Sequence, residues 1–327
     1  MKNRRPIRVV RLRSPLNRNP HKTPKSRENT LNMPFSSYIK NSSANPWTVC
    51  GNVISGKPVP AVMGIVNVTP DSFFDGGKHN TLDAAFEHAQ KLLDEGASII
   101  DIGGESSRPG AAHVSAQEEI ERVVPLIRKL APLLSTRNFT ISVDTVKSEV
   151  ALESVKAGAH IINDISALQF DPNMAQTIAE TKASCVLNHM RGNFGTMQQD
   201  FAPYQDVVRE VRESLLQAEQ KLIDLGVDEK TICLDPGIGF GKDLQNNLDL
   251  IAYAEKFVDT RFPVLYGMSR KSFIGKTPGL ENSDRLIPTV VSGILAALGG
   301  ATVIRVHDVR EAVESFQLLK AFRHAPV

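Results

Sequence analysis

The sequence predicts an α/β chain folded as a (β/α)8 TIM barrel, with a short N-terminal β-hairpin and a disordered basic N-terminal tail in front of it. Three observations predict it. Eight short β-branched runs between residues 62 and 306 are almost continuously apolar, the texture of parallel strands covered by helices. Each run is followed by a segment of helical period, several of them stopped by a glycine. Every run also ends in a polar or ionisable residue, at the rim where the loops of such a barrel converge.

The order along the chain follows from charge and periodicity. Residues 1–45 carry eleven Lys or Arg against one acid, Glu28, leaving 27 basic and 35 acidic residues in 46–327, so the net charge of +2 conceals a basic tail on an acidic body. The tail is rich in Pro, Asn, Ser and Arg and has no apolar period, so it is expected to be disordered and dispensable, or translation is expected to start at Met33. It lacks the amphipathic helix of a transit segment and the interleaved aromatics of a nucleic-acid arm. Residues 46–327 are expected to form a single barrel domain. A hairpin opens at Trp47 and is expected to turn near Ser55-Gly56-Lys57, leading into the first strand, Val62–Val66.

The repeat then begins. Helix Thr81–Glu95 and strand Ser98–Gly103 lead to helix Ser115–Leu134, opened by a Ser115-x-x-Glu118 capping box and kinked at Pro125. Strand Phe139–Asp144, helix Lys147–Lys156 and strand His160–Asp164 continue the pattern, followed by helix Asn173–Thr181 and strand Ala183–His189. After an irregular loop come helix Tyr204–Leu225, strand Thr231–Asp235 and helix Asp243–Val258. Strand Pro263–Gly267, a loop from Met268 to Ser283, helix Asp284–Leu298, strand Ala301–Val306 and helix Val309–Phe322 close the chain.

Composition narrows the class. With 41% hydrophobic residues and no apolar run near the roughly 18 residues of a membrane span, the chain is expected to be soluble, with no membrane partner. Cys50, Cys185 and Cys233 form no CxxC pair, and the last two lie in apolar runs, so reduced thiols in a cytoplasmic protein are expected.

The strand ends present Asn67; Asp101 and Glu105; Asp144; Asn163 and Asp164; His189; Asp235; Ser269, Arg270 and Lys271; and Arg305, His307 and Asp308. Asp144, Asn163 and Asp235 can accept paired N–H bonds from an amidine-like heterocycle edge, while Arg108, Lys271, Arg305 and His307 suit a phosphorylated group. That mixture points to a nitrogen heterocycle bearing phosphate. The run Asp235-Pro-Gly-Ile-Gly-Phe-Gly-Lys242 resembles a phosphate cradle superficially, but its spacing fits neither GxxxxGK[ST] nor GxGxxG, and close approach of a flat ring to the backbone explains its glycines equally well.

The stretches MGIVNVTPDSFFDGG (63–77), DIGGESSRPGA (101–111), SVDT (142–145), AGAHIINDISA (157–167), NHMRG (188–192), DPGIGFGK (235–242), GMSRKSFIG (267–275) and RVHDV (305–309) together resemble the dihydropteroate synthase family. The resemblance implies that 7,8-dihydropterin-6-ylmethyl diphosphate and 4-aminobenzoate combine to 7,8-dihydropteroate and diphosphate with Mg²⁺, by an SN1-like substitution. By motif, Asp144, Asn163, Asp235 and Lys271 would hold the pterin, with Met190 and Phe240 in the same pocket. Asn67, Arg108, Arg305 and His307 would hold diphosphate, Asn67 also reaching the metal through its amide oxygen. Phe73, Ser107, Pro109, Lys271 and Ser272 would surround the aminobenzoate, and Asp75 and Arg108 would act when the loops Thr69–Gly77 and Gly104–His113 close. The resemblance also implies a homodimer through the last helices, and no nucleic-acid partner is expected because only the tail would support one. Ser107 and Phe74 depart from the family pattern, which has Thr and a small polar residue there. A non-catalytic pterin-binding paralogue and a pterin-dependent methyltransferase barrel are the alternatives.

Plainer structural roles compete at several positions. His189 could be a core histidine; His79, His88 and His113 are expected to face solvent; Asp101 and Asp308 could orient neighbours; and Asp164 could cap a turn. The helix Leu286–Leu298, apolar around most of its circumference, is either deeply buried or a subunit surface.

Overall fold

The computed structural model describes residues 39, 44–69, 78–106, 114–192 and 203–324, without the side chains of 78–81. Among the sequence-predicted features, most of the basic tail, the loop residues Phe73 and Asp75, and Ser107, Arg108 and Pro109 lie outside the described residues.

A two-stranded antiparallel hairpin, β1 (Trp47–Val49) and β2 (Asn52–Ile54), precedes eight parallel strands. These are β3 (Ala61–Asn67), β4 (Ile99–Gly103), β5 (Thr140–Asp144), β6 (Ile161–Asp164), β7 (Ser184–Asn188), β8 (Ile232–Asp235), β9 (Leu265–Tyr266) and β10 (Val303–Val306). They run in the order β8-β7-β6-β5-β4-β3-β10-β9. A bridge between Leu234 and Val264, with the Leu234 amide donating to the Pro263 carbonyl at 2.9 Å, joins the two ends and closes the barrel. The connecting helices are α1 (Lys78–Asp94), α2 (Ala116–Leu130), α3 (Ser148–Ala157), α4 (Met174–Thr181), α5 (Val207–Asp224), α6 (Leu244–Ala252), α7 (Glu255–Val258), α8 (Ser272–Lys276), α9 (Leu286–Leu298) and α10 (Val309–His324).

The strands bury both faces because the core has two layers. Val62, Val66, Ile100, Ile102, Ile141, Val143 and Ile162 point outward to the helices, whereas Met63, Ile99, Ile161, Val186, Cys233, Leu265 and Val303 fill the barrel. Trp47 joins the inner layer from the hairpin, with its indole N–H on the Thr231 carbonyl at 2.9 Å, and so plugs the amino-terminal end. That leaves the carboxyl-terminal end for chemistry. Among the described residues no helix is long and apolar enough to cross a membrane.

Several local expectations need correcting. The hairpin turns at Cys50-Gly51, not near Ser55–Lys57, because both turn residues have positive φ (48° and 78°) as a two-residue turn of that hand requires. The expected helix Asp243–Val258 is two helices, α6 and α7, broken where Tyr253 leaves helical geometry (φ −110°, ψ 33°). The loop 268–283 contains the short helix α8. Ser115 caps α2 by accepting the Glu118 amide at 3.2 Å, but the Glu118 carboxylate turns to Arg122. Ala44 and Asn45, expected in the tail, are built into the barrel: the Asn45 amide donates to the carbonyls of Val258 (2.8 Å) and Phe262 (3.0 Å), and Thr302 Oγ1 donates to its carbonyl at 2.8 Å. His88 is half-buried, and burial lowers its pKa, so it is not a solvent residue.

Candidate active site

Strand register places the candidates. Asn67, Gly103, Asp144 and Asn163 stand opposite one another on β3, β4, β5 and β6. A Cβ on Gly103 would lie 3.6 Å from Asp144 Cβ and 3.7 Å from Asn67 Oδ1, so the missing side chain opens space that those two residues share. On the other arc, Asn188 stands opposite Asp235 on β7 and β8. Gly267 plays the part of Gly103 there, with its Cβ position 3.8 Å from both Asp235 Oδ2 and Arg305 Cβ.

The centre is a charge network. Arg305 donates through Nε to Asp101 Oδ2 and through NH2 to Asp144 Oδ2, each at 2.6 Å. Asp101 is fully buried, and its Oδ2 also accepts Asn163 Nδ2 at 3.1 Å, while its Oδ1 has no partner among the described residues. With its amide nitrogen committed, Asn163 presents Oδ1 as an acceptor. Burial, reinforced by the charges of Asp101 and Glu119 and opposed by Arg305 and Lys271, raises the Asp144 pKa to about 7. Burial opposes the Arg305 charge, but Asp101 and Asp144 outweigh it and raise its pKa.

Asp235, 5% exposed, accepts the Gly237 amide on Oδ1 at 2.7 Å. Burial raises its pKa against the pull of Lys271. Lys271 starts α8. Its amide donates to the Met268 carbonyl at 3.3 Å, and Arg270 before it (φ 56°) is tied to Thr289 Oγ1 at 3.0 Å. The Lys271 ammonium reaches the Ile238 carbonyl and sits 4.1 Å from the centre of the Phe240 ring. Burial lowers its pKa to about 7, although Asp235 pulls the other way. Met190 is buried, Ser272 half-buried. Ser269 Oγ accepts the His307 amide at 3.2 Å and lies 3.0 Å from its Nδ1.

The structure therefore brings Asn67, Asp144, Asn163, Asp235, Lys271, Phe240 and Arg305 to one rim. It gives other candidates structural duties. Asp164 accepts the amides of Ser166 (2.8 Å) and Leu168 (2.7 Å), so it anchors a turn, and Asp308 forms a two-point pair with Arg270. Glu105 holds Lys147 at 2.5 Å and the Val114 amide at 3.0 Å. His189 is buried, and its Nδ1 faces Lys242 Nζ at 3.0 Å. Burial and the Lys242 charge drive its pKa well down, so the ring is neutral.

In the glycine run, Gly237 and Gly241 admit the backbone of the loop after β7. Gly237, Gly239 and Gly241 have φ of 70°, 84° and 67°, and a Cβ on Gly237 would fall 1.9 Å from the His189 carbonyl oxygen. The neighbouring loop's own backbone makes the close approach. Lys242 turns inward instead of toward a ligand, donating to the carbonyls of His189 (3.1 Å), Gly237 (2.9 Å) and Phe240 (3.0 Å). Sequence reasoning treated this residue only as the end of a motif. Its signal was a cation directly after three glycines whose bare backbone offers carbonyls.

Comparison with known proteins points in one direction. The profile of the family described as pterin binding enzyme matches residues 63–307. The dihydropteroate synthase of Escherichia coli strain K12 is 47% identical over 263 residues, 80% of this chain and 91% of its own. The Xanthomonas albilineans dihydropteroate synthase solved with 4-aminobenzoic acid superposes with a TM-score of 0.78 at 40% identity, covering 86% of this chain and 100% of its own. The same organism's enzyme solved with 7,8-dihydropteroate gives 0.73 at 35% identity, with 86% of this chain covered.

Proposed function

This chain belongs to the family of pterin binding enzymes, and we propose that it is the transferase that joins 7,8-dihydropterin-6-ylmethyl diphosphate to 4-aminobenzoate in folate synthesis, releasing diphosphate. One observation carries the reading at the level of the site: three acceptors, Asp144 and Asn163 Oδ1 on the neighbouring strands β5 and β6 and Asp235 on β8, one strand further round, share a rim with Lys271 and Arg305. A reduced pterin offers the complementary pattern, ring and amino N–H groups along one edge and acceptors on the other. Asp235, held by the Gly237 amide, takes the donor edge in a two-point contact; Asn163 and Asp144 take the remaining donors; Lys271 donates to the acceptor side.

The diphosphate is assigned to Asn67, His307 and Arg305, with Arg108 joining from outside the described residues. Arg305 then serves two ends of the substrate, because it is already bonded to Asp144. Concentrated positive charge at the departing group lets the C–O bond break early, and the electron-rich ring stabilises the methylene cation. The arylamine of 4-aminobenzoate is a free base at neutral pH and attacks without a strong general base. Phe73, Ser107, Pro109, Lys271 and Ser272 are assigned to the aminobenzoate, and Asp75 to the closed state.

Among the described residues no group of three or more His, Cys, Asp or Glu is arranged to hold a metal. This fits Mg²⁺ carried mainly by substrate, since that ion keeps its waters and phosphate ligands and needs few from the protein. Asn67, whose Oδ1 shares the space beside Gly103 with the Asp144 carboxylate, would hold it. Bound there, the ion would neutralise charge on the diphosphate.

Two coarser assignments complete the reading. Ile287, Val291 and Leu295 expose one apolar stripe of α9, and Leu318 and Phe322 extend it on α10, which supports a homodimer through these helices; a monomer in sedimentation would remove that assignment. The cytoplasm is the matching compartment, where the substrates' biosynthesis would supply them. The deciding test of function is diphosphate release that requires both 4-aminobenzoate and Mg²⁺. Pterin binding without turnover would instead make the chain a non-catalytic binding paralogue.

A further inference from the structure

Lys242 has no part in the chemistry above, yet among the described residues it is the one lysine buried outright, at 4% exposure. Among the described residues no carboxylate pairs with its Nζ. Its Nζ donates to the carbonyls of His189, Gly237 and Phe240 and lies 3.0 Å from Nδ1 of His189. Two loops, after β7 and after β8, therefore meet on a single nitrogen. Burial drives the Lys242 pKa well below the ordinary lysine value, and in either charge state its nitrogen carries N–H donors, which a cluster of inward-facing carbonyls requires.

The other side of the same turn faces the proposed site. Between the carbonyls of Gly237 and Phe240, which face Lys242, the carbonyl of Ile238 faces Lys271 and receives its ammonium. The Phe240 ring lies beneath that ammonium at 4.1 Å. At Gly239 a Cβ would come within 3.0 Å of Lys271 Cδ, so the turn also shapes the path of the Lys271 stem. One short loop thus carries a lysine on each face.

We propose that Lys242 is a positioning residue for Lys271: it holds the 237–241 turn from inside and thereby fixes the carbonyl and the ring between which Lys271 is aimed at the heterocycle. The inference rests on the pterin reading of the site, and it separates recognition of the heterocycle from recognition of diphosphate. Among the described residues Arg305 and Asn67 make no hydrogen bond to this turn, so the diphosphate end should be indifferent to it.

The test uses the full chain with Lys242→Met, which keeps length and apolar volume but removes the donors. Binding of 6-hydroxymethyl-7,8-dihydropterin is expected to weaken roughly thirtyfold, and of inorganic diphosphate by no more than about threefold. In turnover, KM for the pterin diphosphate should rise while KM for 4-aminobenzoate stays near that of the parent. Should Lys242→Met prove insoluble, Lys242→Gln, which keeps an apolar stem and one amide donor group, should show the same split in smaller measure. Equal losses for pterin and diphosphate, or no loss of pterin binding in a folded variant, would overturn the positioning role alone. A parent chain that binds no pterin would overturn the functional reading and this inference with it.

Discussion

Two basic side chains, Arg305 half-buried and Lys242 buried, stand at the same barrel rim and are held by opposite means. Arg305 is paired with charge, bonded to the carboxylates of Asp101 and Asp144; Lys242 is solvated by dipoles, bonded to three carbonyls and an imidazole. The charge-paired cation asks little of the backbone, since β4, β5 and β10 are ordinary parallel strands there. The dipole-solvated lysine needs inward-facing carbonyls, and the turn that supplies them carries three glycines at positive φ. The first arrangement is vulnerable to loss of a charge, the second to loss of backbone shape.

The largest expected effect tests the charge-paired side. Arg305→Met strands two carboxylates and should lower unfolding free energy by about 3–5 kcal/mol in urea titration. Adding Asp101→Asn and Asp144→Asn should recover part of that loss. No recovery would mean that Arg305 acts through packing and not through charge. Next in size, Asp235→Ala should weaken pterin binding roughly a hundredfold, about 3 kcal/mol, by removing charge-assisted bonds. Unchanged pterin affinity in a titration would refute its assignment.

A smaller effect distinguishes the two sides by pH. Burial raises the Asp144 pKa in the folded chain to about 7 against the pull of Arg305, above the ordinary carboxylate range of an unfolded aspartate. Its contribution is fully present below that range and is lost as pH rises through about 7. The unfolding midpoint of the parent should therefore fall relative to Asp144→Asn as pH is raised from about 4 to 7. Lys271, lowered to about 7, runs the other way: its contribution is present above the ordinary lysine range and lost as pH falls to about 7, so Lys271→Met should show its difference on the alkaline side. A parallel pH course for the two variants would break the comparison. The smallest effect lies outside the rim. Removing residues 1–38 should leave turnover unchanged, whereas removing 1–45 deletes the Asn45 bonds to Val258 and Phe262 and should cost about 1–3 kcal/mol in stability.

Much of the fold was legible because its signals are local. A strand covered on both faces must be apolar nearly throughout, and Val62–Val66, Ser98–Gly103 and Phe139–Asp144 lie within a residue or two of β3, β4 and β5. Helix periodicity found α1 to α5, but it could not see that Tyr253 breaks α6 from α7, since both pieces carry the same apolar spacing. The hairpin was found and its turn misplaced: Ser-Gly-Lys and Cys-Gly both look like turns, and only Cys50-Gly51 leaves Trp47 opposite Ile54.

The sequence by itself determined that polar groups would gather at the carboxyl ends of eight strands, and which residues those would be. The tertiary structure decided who pairs with whom. Asp101 and Arg305 stand 204 residues apart, Asp144 and Arg305 161, His189 and Lys242 53, and each pair meets only when the barrel closes and register sets the heights of its strands. Local pattern records what a residue can do, whereas burial and partners, which set its charge and its aim, are made by distant parts of the chain. That is why the sequence showed the rim of acceptors and cations, and why only the closed barrel showed one basic side chain bound by carboxylates and another by the backbone.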